Sequence, residues 1–196
     1  MKKCNLFIVL LIAVLAISCS SDNDNTIDIQ SNTGELIVNG QTYSLTKGFL
    51  IPNYTGTDPN YDQRRFYFIL TNGDVTLNNN EFVYSNNITQ LIDFNMYTSV
   101  QNLGAIENTT YPVRDYTDFN FNSDIAYIDH SGVNTNVIIQ NNQYVSSDEV
   151  STNDLTGQAT MVQNNGIYTI TFSYSNAQYS ISGNYTGTLT DLNFQY

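Results

Sequence analysis

Residues 155–189 read Leu155-Thr-Gly-Gln-Ala-Thr-Met-Val162, Asn164-Asn165-Gly166, Ile167-Tyr-Thr-Ile-Thr-Phe-Ser-Tyr174 and, after a turn at Ser175–Ala177, Tyr179-Ser-Ile-Ser-Gly-Asn-Tyr-Thr-Gly-Thr-Leu189. Each segment alternates with period two, the signature of a strand with one buried face. Tyr168, Ile170, Phe172 and Tyr174 fall on one face of the middle segment, and Thr169, Thr171 and Ser173 on the other. The third segment puts Tyr179, Ile181, Gly183, Tyr185, Gly187 and Leu189 inward and Ser and Thr outward. Asn165-Gly166 supplies the positive φ that a two-residue hairpin turn requires. Glycine weakens a strand unless it makes room for a neighbour or marks a bend, so Gly183 and Gly187 are expected to admit large aromatics from the next strand or to allow a sharp turn.

The same pattern runs through the rest of the chain. Glu35–Val38, Asn39-Gly40 and Gln41–Leu45 predict a hairpin. Arg64–Leu70 aligns Phe66, Phe68 and Leu70, and Ile88–Thr98 aligns Ile92, Phe94 and Met96. Ile125–Ile128 and Val137–Ile139 are short apolar runs between Asn, Asp and Ser. Ser146-Ser147-Asp148-Glu149 has capping-box spacing and predicts one short helical turn, with no apolar periodicity behind it. Many short strands joined by Gly and Asn turns predict an all-β fold with little or no helix. The expected form is a single antiparallel β-sandwich or an up-and-down barrel, with a lipocalin-like barrel as the alternative.

Composition agrees with a sheet protein. The 196 residues include 15 Tyr, 10 Phe and no Trp, and Tyr, Phe, Thr, Ile and Val suit a half-buried pleated surface. The chain begins with Lys2-Lys3, an apolar run from Leu6 to Ile17, and Ser18-Cys19. A basic start, about 7–15 apolar residues and small residues before a cut site describe a secretory signal, and the run is too short to span a membrane as a helix. Removing residues 1–18 takes away two of the six basic residues and none of the 18 acidic ones, leaving a formal charge of −14. Such a chain repels nucleic acid, and Lys47, Arg64, Arg65 and Arg114 form no basic patch to offset this. Cys4 leaves with the signal, so the remaining Cys19 excludes an internal disulfide and any thiolate metal site. Roughly 160 residues can bury a core large enough for one domain without such staples. The expected organisation is a signal over 1–18, a flexible acidic tether over 19–33 and a β domain over 34–196.

Ala16-Ile17-Ser18-Cys19 resembles the lipobox of bacterial lipoproteins. The resemblance implies that Cys19 carries a diacylglyceryl group as the mature N-terminus. The position three before the Cys, where the family prefers Leu, holds Ala16. Ser20-Ser21-Asp22-Asn23-Asp24 is similar to the acidic export tag of Bacteroidota surface lipoproteins, which implies the outer membrane and its cell-surface face, with the periplasmic face as the alternative. The closing strand, Gly183-Asn-Tyr-Thr-Gly187-Thr-Leu189, resembles the last strand of small β-rich lipoproteins of that group. This likeness covers residues 154–190 and the lipobox, and it carries over no catalytic or binding residue.

Chemistry is sparse. The single histidine, His130, stands in Asp129-His130-Ser131-Gly132, where adjacent side chains diverge and cannot converge as a triad; a turn residue is expected. One histidine also falls short of a zinc site. Asp115, Asp118 and Asp124 are the candidates for paired-carboxylate glycan hydrolysis. No metal site is assigned, but hard cations take Asp, Asn and carbonyl oxygens, so Asp58, Asp62, Asp115 and Asp118 are the candidate calcium ligands. Tyr54, Tyr61, Tyr111, Tyr116 and Phe119 stand among Asn, Asp, Thr and Pro rather than in alternating strands. An amphipathic ring beside polar groups suits contact with a glycan or an envelope protein, so these five are the candidate ligand-contacting loop residues. The expectation is a lipid-anchored, non-enzymatic binding or envelope-structural protein that needs no cofactor, with calcium the one metal its residues suit. A carboxylate-based glycan hydrolase and a lipocalin-like small-ligand binder are the alternatives.

Overall fold

The computed structural model describes residues 31–52, 64–115, 118, 120–150 and 155–193, and every regular element among them is a β-strand. In chain order these are β1 (Thr33–Val38), β2 (Gln41–Ser44), β3 (Lys47–Pro52), β4 (Arg65–Thr71), β5 (Val75–Asn78), β6 (Glu81–Tyr84) and β7 (Gln90–Tyr97). There follow β8 (Thr109–Pro112), β9 (Tyr127–Gln140), β10 (Gln143–Val150), β11 (Thr156–Asn164), β12 (Ile167–Ser175), β13 (Ser180–Gly187) and β14 (Thr190–Asp191). The signal and tether fall almost wholly outside the described residues. Of the residues expected in the tether, Thr33 opens β1 and pairs with Thr186, and Asn32 just before it accepts the Thr188 N–H on Oδ1 at 3.0 Å.

Asparagine makes the turns. Asn39-Gly40, Asn79-Asn80, Asn141-Asn142 and Asn165-Gly166 each join two antiparallel strands with both φ angles positive, from 49° to 84°. This is the type I′ requirement, whose twist matches that of the flanking strands. Two of these turns use Asn-Asn, which the sequence does not flag as clearly as Asn-Gly.

Two six-stranded sheets pack face to face, in the orders β2-β1-β13-β12-β11-β8 and β10-β9-β7-β4-β3-β14. Their inner faces share one core, in which Leu36, Ile170, Phe172, Tyr174, Ile181 and Tyr185 from the first sheet meet Phe66, Phe68, Ile92, Phe94 and Val133 from the second. The result is a sandwich-like fold. Among the described residues neither expected barrel closes: β2 and β8 are the outer strands of one sheet, β10 and β14 of the other. Nor is the pairing wholly antiparallel, since β14 runs parallel to β3. A third, two-stranded sheet, β5-β6, lies over the outer face of the second sheet. There Val75, Leu77, Phe82 and Tyr84 close a second cluster with Phe49, Ile51, Ile69, Val137 and Ile139. Covered on both sides, all eight residues of β7 are buried.

Gly183 fills the role expected of it. A Cβ there would lie 2.4 Å from the Phe172 ring and 2.1 Å from the Glu35 carbonyl oxygen. At Gly187 the close neighbour is the Asn32 side chain rather than an aromatic. Two expectations are corrected. Residues 146–149 form no helical turn; they lie in β10, an exposed polar edge strand whose alternation is too weak to read. The runs at 125–128 and 137–139 are not separate strands: β9 spans 14 residues, and Asn136, at φ 50°, breaks its alternation so that Val133 joins the inner core and Val137 the outer cluster.

Candidate functional site

A groove of about 390 Å³ opens on the outer face of the second sheet, beside the β5–β6 hairpin. Its residues come from neighbouring strands by simple alternation. Phe66, Phe68, Phe94 and Met96 point into the core, so Arg65 and Tyr67 on β4 and Asp93 and Asn95 on β7 take the opposite face. Strand β9 adds His130, Gly132 and Asn134, β10 adds Glu149, and Phe82 on β6 forms a wall. The register sets Asn95 opposite His130 and Asp93 opposite Gly132.

Asp93 is the unusual member. It is 8% exposed, in a strand buried along its whole length. Burial pushes its carboxyl above the ordinary value of 3.8, while the charge of His130 and hydrogen bonds from the Tyr67 hydroxyl and the Gly132 N–H pull it back. Gly132 is needed for this seat, because a Cβ would stand 2.4 Å from Asp93 Oδ2. Burial, and after it the charges of Asp93 and Tyr144, push the Tyr84 hydroxyl up to about 12. The Phe82 ring lies between Tyr67 and Tyr84, at centroid distances of 6.4 and 6.1 Å.

One amide in the groove has its orientation set by a protein donor. Arg65 Nε, which can only donate, reaches Asn95 Oδ1 at 2.8 Å. Ser147 Oγ donates to Asn134 Oδ1 at 2.8 Å and itself accepts from the Tyr144 hydroxyl. Asn95 therefore keeps its Nδ2 donors for another partner. The groove thus combines amide donors, a guanidinium, an imidazole, two carboxyl groups and an aromatic wall.

The candidates read from the sequence lie elsewhere. Tyr111 is corrected: it sits in β8 in the core, 1% exposed, its hydroxyl exchanging hydrogen bonds with the backbone of Glu107, so its ring faces no loop surface. His130 stands in a strand rather than a turn. Asp118 accepts the Asn120 N–H in a local turn, and Asp124 lines a separate cleft with Glu107. Among the described residues no three His, Cys, Asp or Glu side chains gather as a metal site would need. Cys19, Tyr54, Asp58, Tyr61, Asp62, Tyr116 and Phe119 fall outside the described residues. Sequence reading missed Asp93 because an outward charge between Ile92 and Phe94 looks like a solvated strand face. The available signal was the charge in mid-strand with apolar residues at Leu91 and Ile92 before it. No family model, curated protein or solved structure matches the chain.

Proposed function

We propose that the chain is a lipid-anchored outer-membrane protein, held by Cys19 at the cell surface, whose β-sandwich binds a glycan in the Asp93 groove without transforming it. The observation that carries the binding reading is the groove itself. A carboxyl group kept out of water costs several kcal/mol unless it is paired and hydrogen-bonded. Such a group at the floor of a concave polar site is more characteristic of function than of core packing. Donors, acceptors and an aromatic ring within one small volume match a sugar, whose hydroxyls donate and accept while its C–H face stacks on a ring.

The test is an array of envelope and plant glycans probed with the full chain in detergent, beside its Asn134→Leu variant. Retention of a saccharide by the wild type, weakened at least about tenfold in the variant, supports the reading. No retained saccharide, or equal retention by both proteins, contradicts it. The anchor is tested separately: Cys19→Ala should abolish fatty-acid labelling and release the protein from membranes, and persistence of both would refute lipidation there. Complete protection of the domain from protease on intact cells would contradict surface display.

A second reading, hydrolysis of a glycan, is favoured by one observation: Asp93, with its raised pKa, and Glu149 line the same groove. A carboxyl group of raised pKa in the same cleft as a second carboxyl group is a pairing that glycosidases use. Release of reducing ends from a bound glycan, abolished by Glu149→Gln, would establish this reading over simple binding.

A further inference from the structure

Resting on the reading of Cys19 as a lipid anchor, we infer that one end of the sandwich docks on a phospholipid bilayer and dips Val100, Leu103, Ile125 and Val162 into it. These are four of the seven large apolar side chains exposed among the described residues. Scattered singly they would need no explanation, but the topology gathers them. Strand β7 ends at Tyr97, opposite Tyr127, the first residue of β9. Val100 and Leu103 therefore follow one strand, and Ile125 precedes the other, at the same end of the second sheet. The Val100 N–H donates to the Asp124 carbonyl at 3.0 Å and joins the two loops. In the first sheet Val162, Thr169, Thr186 and Thr33 stand in one cross-strand row. Asn108, which closes the Val100 loop, exchanges hydrogen bonds of 2.6 and 3.2 Å with the backbone of Gln163, beside Val162.

The course of the chain names the occupant. Thr33 opens β1 in that same row, three strands from Val162 and so about 14 Å from it. Only residues 20–32 separate it from Cys19, and a segment of that length reaches at most about 45 Å. The chain towards the anchor thus leaves the domain at the apolar end. A covalent link this short turns contact with the bilayer into an intramolecular event, so a small patch suffices. Ile138, Tyr144 and Val145, the remaining three exposed side chains, flank the β9–β10 turn at the opposite end.

The chemistry of this end suits lipid better than protein. Its four exposed apolar side chains are aliphatic, whereas protein-binding hot spots favour Trp, Tyr and Arg and make little use of Leu and Val. Backbone polar groups that enter a bilayer need partners inside the protein. Here the buried Arg64 guanidinium donates to the carbonyls of Thr98, Ser123 and Ile125, at 2.6, 2.7 and 3.3 Å. The Asn102 N–H donates to the Ser99 carbonyl, and the Ser99 N–H to the Glu107 carboxylate. Glu107 and Asp124 oppose an anionic surface, and residues 98–108 and 121–126 contain no Lys or Arg to offset them. The contact is therefore apolar and suits zwitterionic headgroups.

The chain has no Trp, so a Trp placed by substitution reports alone. Lipidated full-length Leu103→Trp and Val145→Trp, whose sites are 49% and 53% exposed, are reconstituted on phosphatidylcholine vesicles that contain brominated lipid. Leu103→Trp emission should shift to the blue and lose about half or more of its intensity, because a side chain at the headgroup–acyl boundary lies about 5–10 Å deep, within reach of the bromine. Val100→Trp should behave likewise, and Val145→Trp should keep its emission. Vesicle-bound protein in which Leu103→Trp and Val100→Trp are quenched no more than Val145→Trp overturns the docking and leaves the anchor standing. Protein that carries no lipid and does not float with the vesicles overturns both. A blue shift of Leu103→Trp that grows with protein concentration and needs no vesicle would show a second copy at this end, and would also overturn the docking.

Discussion

A Cβ on Gly132 would stand 2.4 Å from Oδ2 of Asp93. That gap is where β9 yields to the carboxyl of β7, and it fixes the floor of the groove. Gly132→Ala is expected to push the carboxyl off its seat and to cost about 1–3 kcal/mol, as overpacking a closed site does. Urea unfolding should show a lower midpoint with an unchanged slope. A variant within about 0.5 kcal/mol of wild type would mean that Asp93 moves aside freely and that its seat is not built.

Asp93 also sets a pH dependence. Its folded-state pKa is raised above 3.8, so over the interval between those two values the native chain holds a proton that the unfolded chain has lost. Stability from this group is complete below the lower value and declines as pH rises towards the upper one, at up to about 1.4 kcal/mol per pH unit. Other carboxylates titrate in the same range, so the informative quantity is the difference between two proteins. The stability of Asp93→Asn relative to wild type should increase as pH rises through that interval. A difference that stays flat, or falls, between acid and neutral pH would contradict a raised pKa.

Two glycines should fail for different reasons. At Gly166, with φ at 80°, nothing lies within 4 Å of a Cβ, so Gly166→Ala costs only the left-handed backbone, about 1–2 kcal/mol. At Gly183 the Cβ would strike the Glu35 carbonyl at 2.1 Å and the Phe172 ring at 2.4 Å. Gly183→Ala must then part β1 from β13 or displace a core ring, and it should destabilise more than Gly166→Ala. Thermal melts of the two variants decide the order.

The Tyr174 hydroxyl is buried without a protein partner, and burial raises its pKa well above 10. Leaving a hydroxyl unsatisfied costs about 1–3 kcal/mol, so Tyr174→Phe should be neutral or stabilising. Its ring contacts, stacked on Phe172 and tilted against Phe94, are kept. A loss of more than about 1 kcal/mol would reveal a bridging water between the sheets.

Much of the scaffold is written in the sequence because the rules that write it are local. Asn39-Gly40 and Asn165-Gly166 announce their turns, and Phe66, Phe68 and Leu70 or Ile92, Phe94 and Met96 show the inner face by alternation alone. The β5–β6 hairpin was not legible: two four-residue strands joined by Asn79-Asn80 carry too little pattern, and only tertiary packing against Phe49 and Ile69 makes them a lid. The groove follows that lid. Asp93 and Asn95 alternate with the inward residues of β7 and His130 reads as a turn residue, and nothing local says that β7 lies between two layers. Tyr111 misled for the opposite reason: its polar neighbours mark a loop, while its ring fills the core.

The most direct test of the central claim, that the outer groove of the second sheet is the ligand site, is a nuclear magnetic resonance titration. The full chain, ¹⁵N-labelled in detergent micelles, is titrated with the saccharide that the array retains. The account predicts that the side-chain amide signals of Asn95 and Asn134, with the backbone signals of Asp93, His130, Gly132 and Glu149, shift together and saturate with one dissociation constant. Shifts confined to the cleft of Glu107 and Asp124, or to the backbone signals around Tyr54 and Tyr61, with the Asn95 and Asn134 amides unmoved, would contradict it.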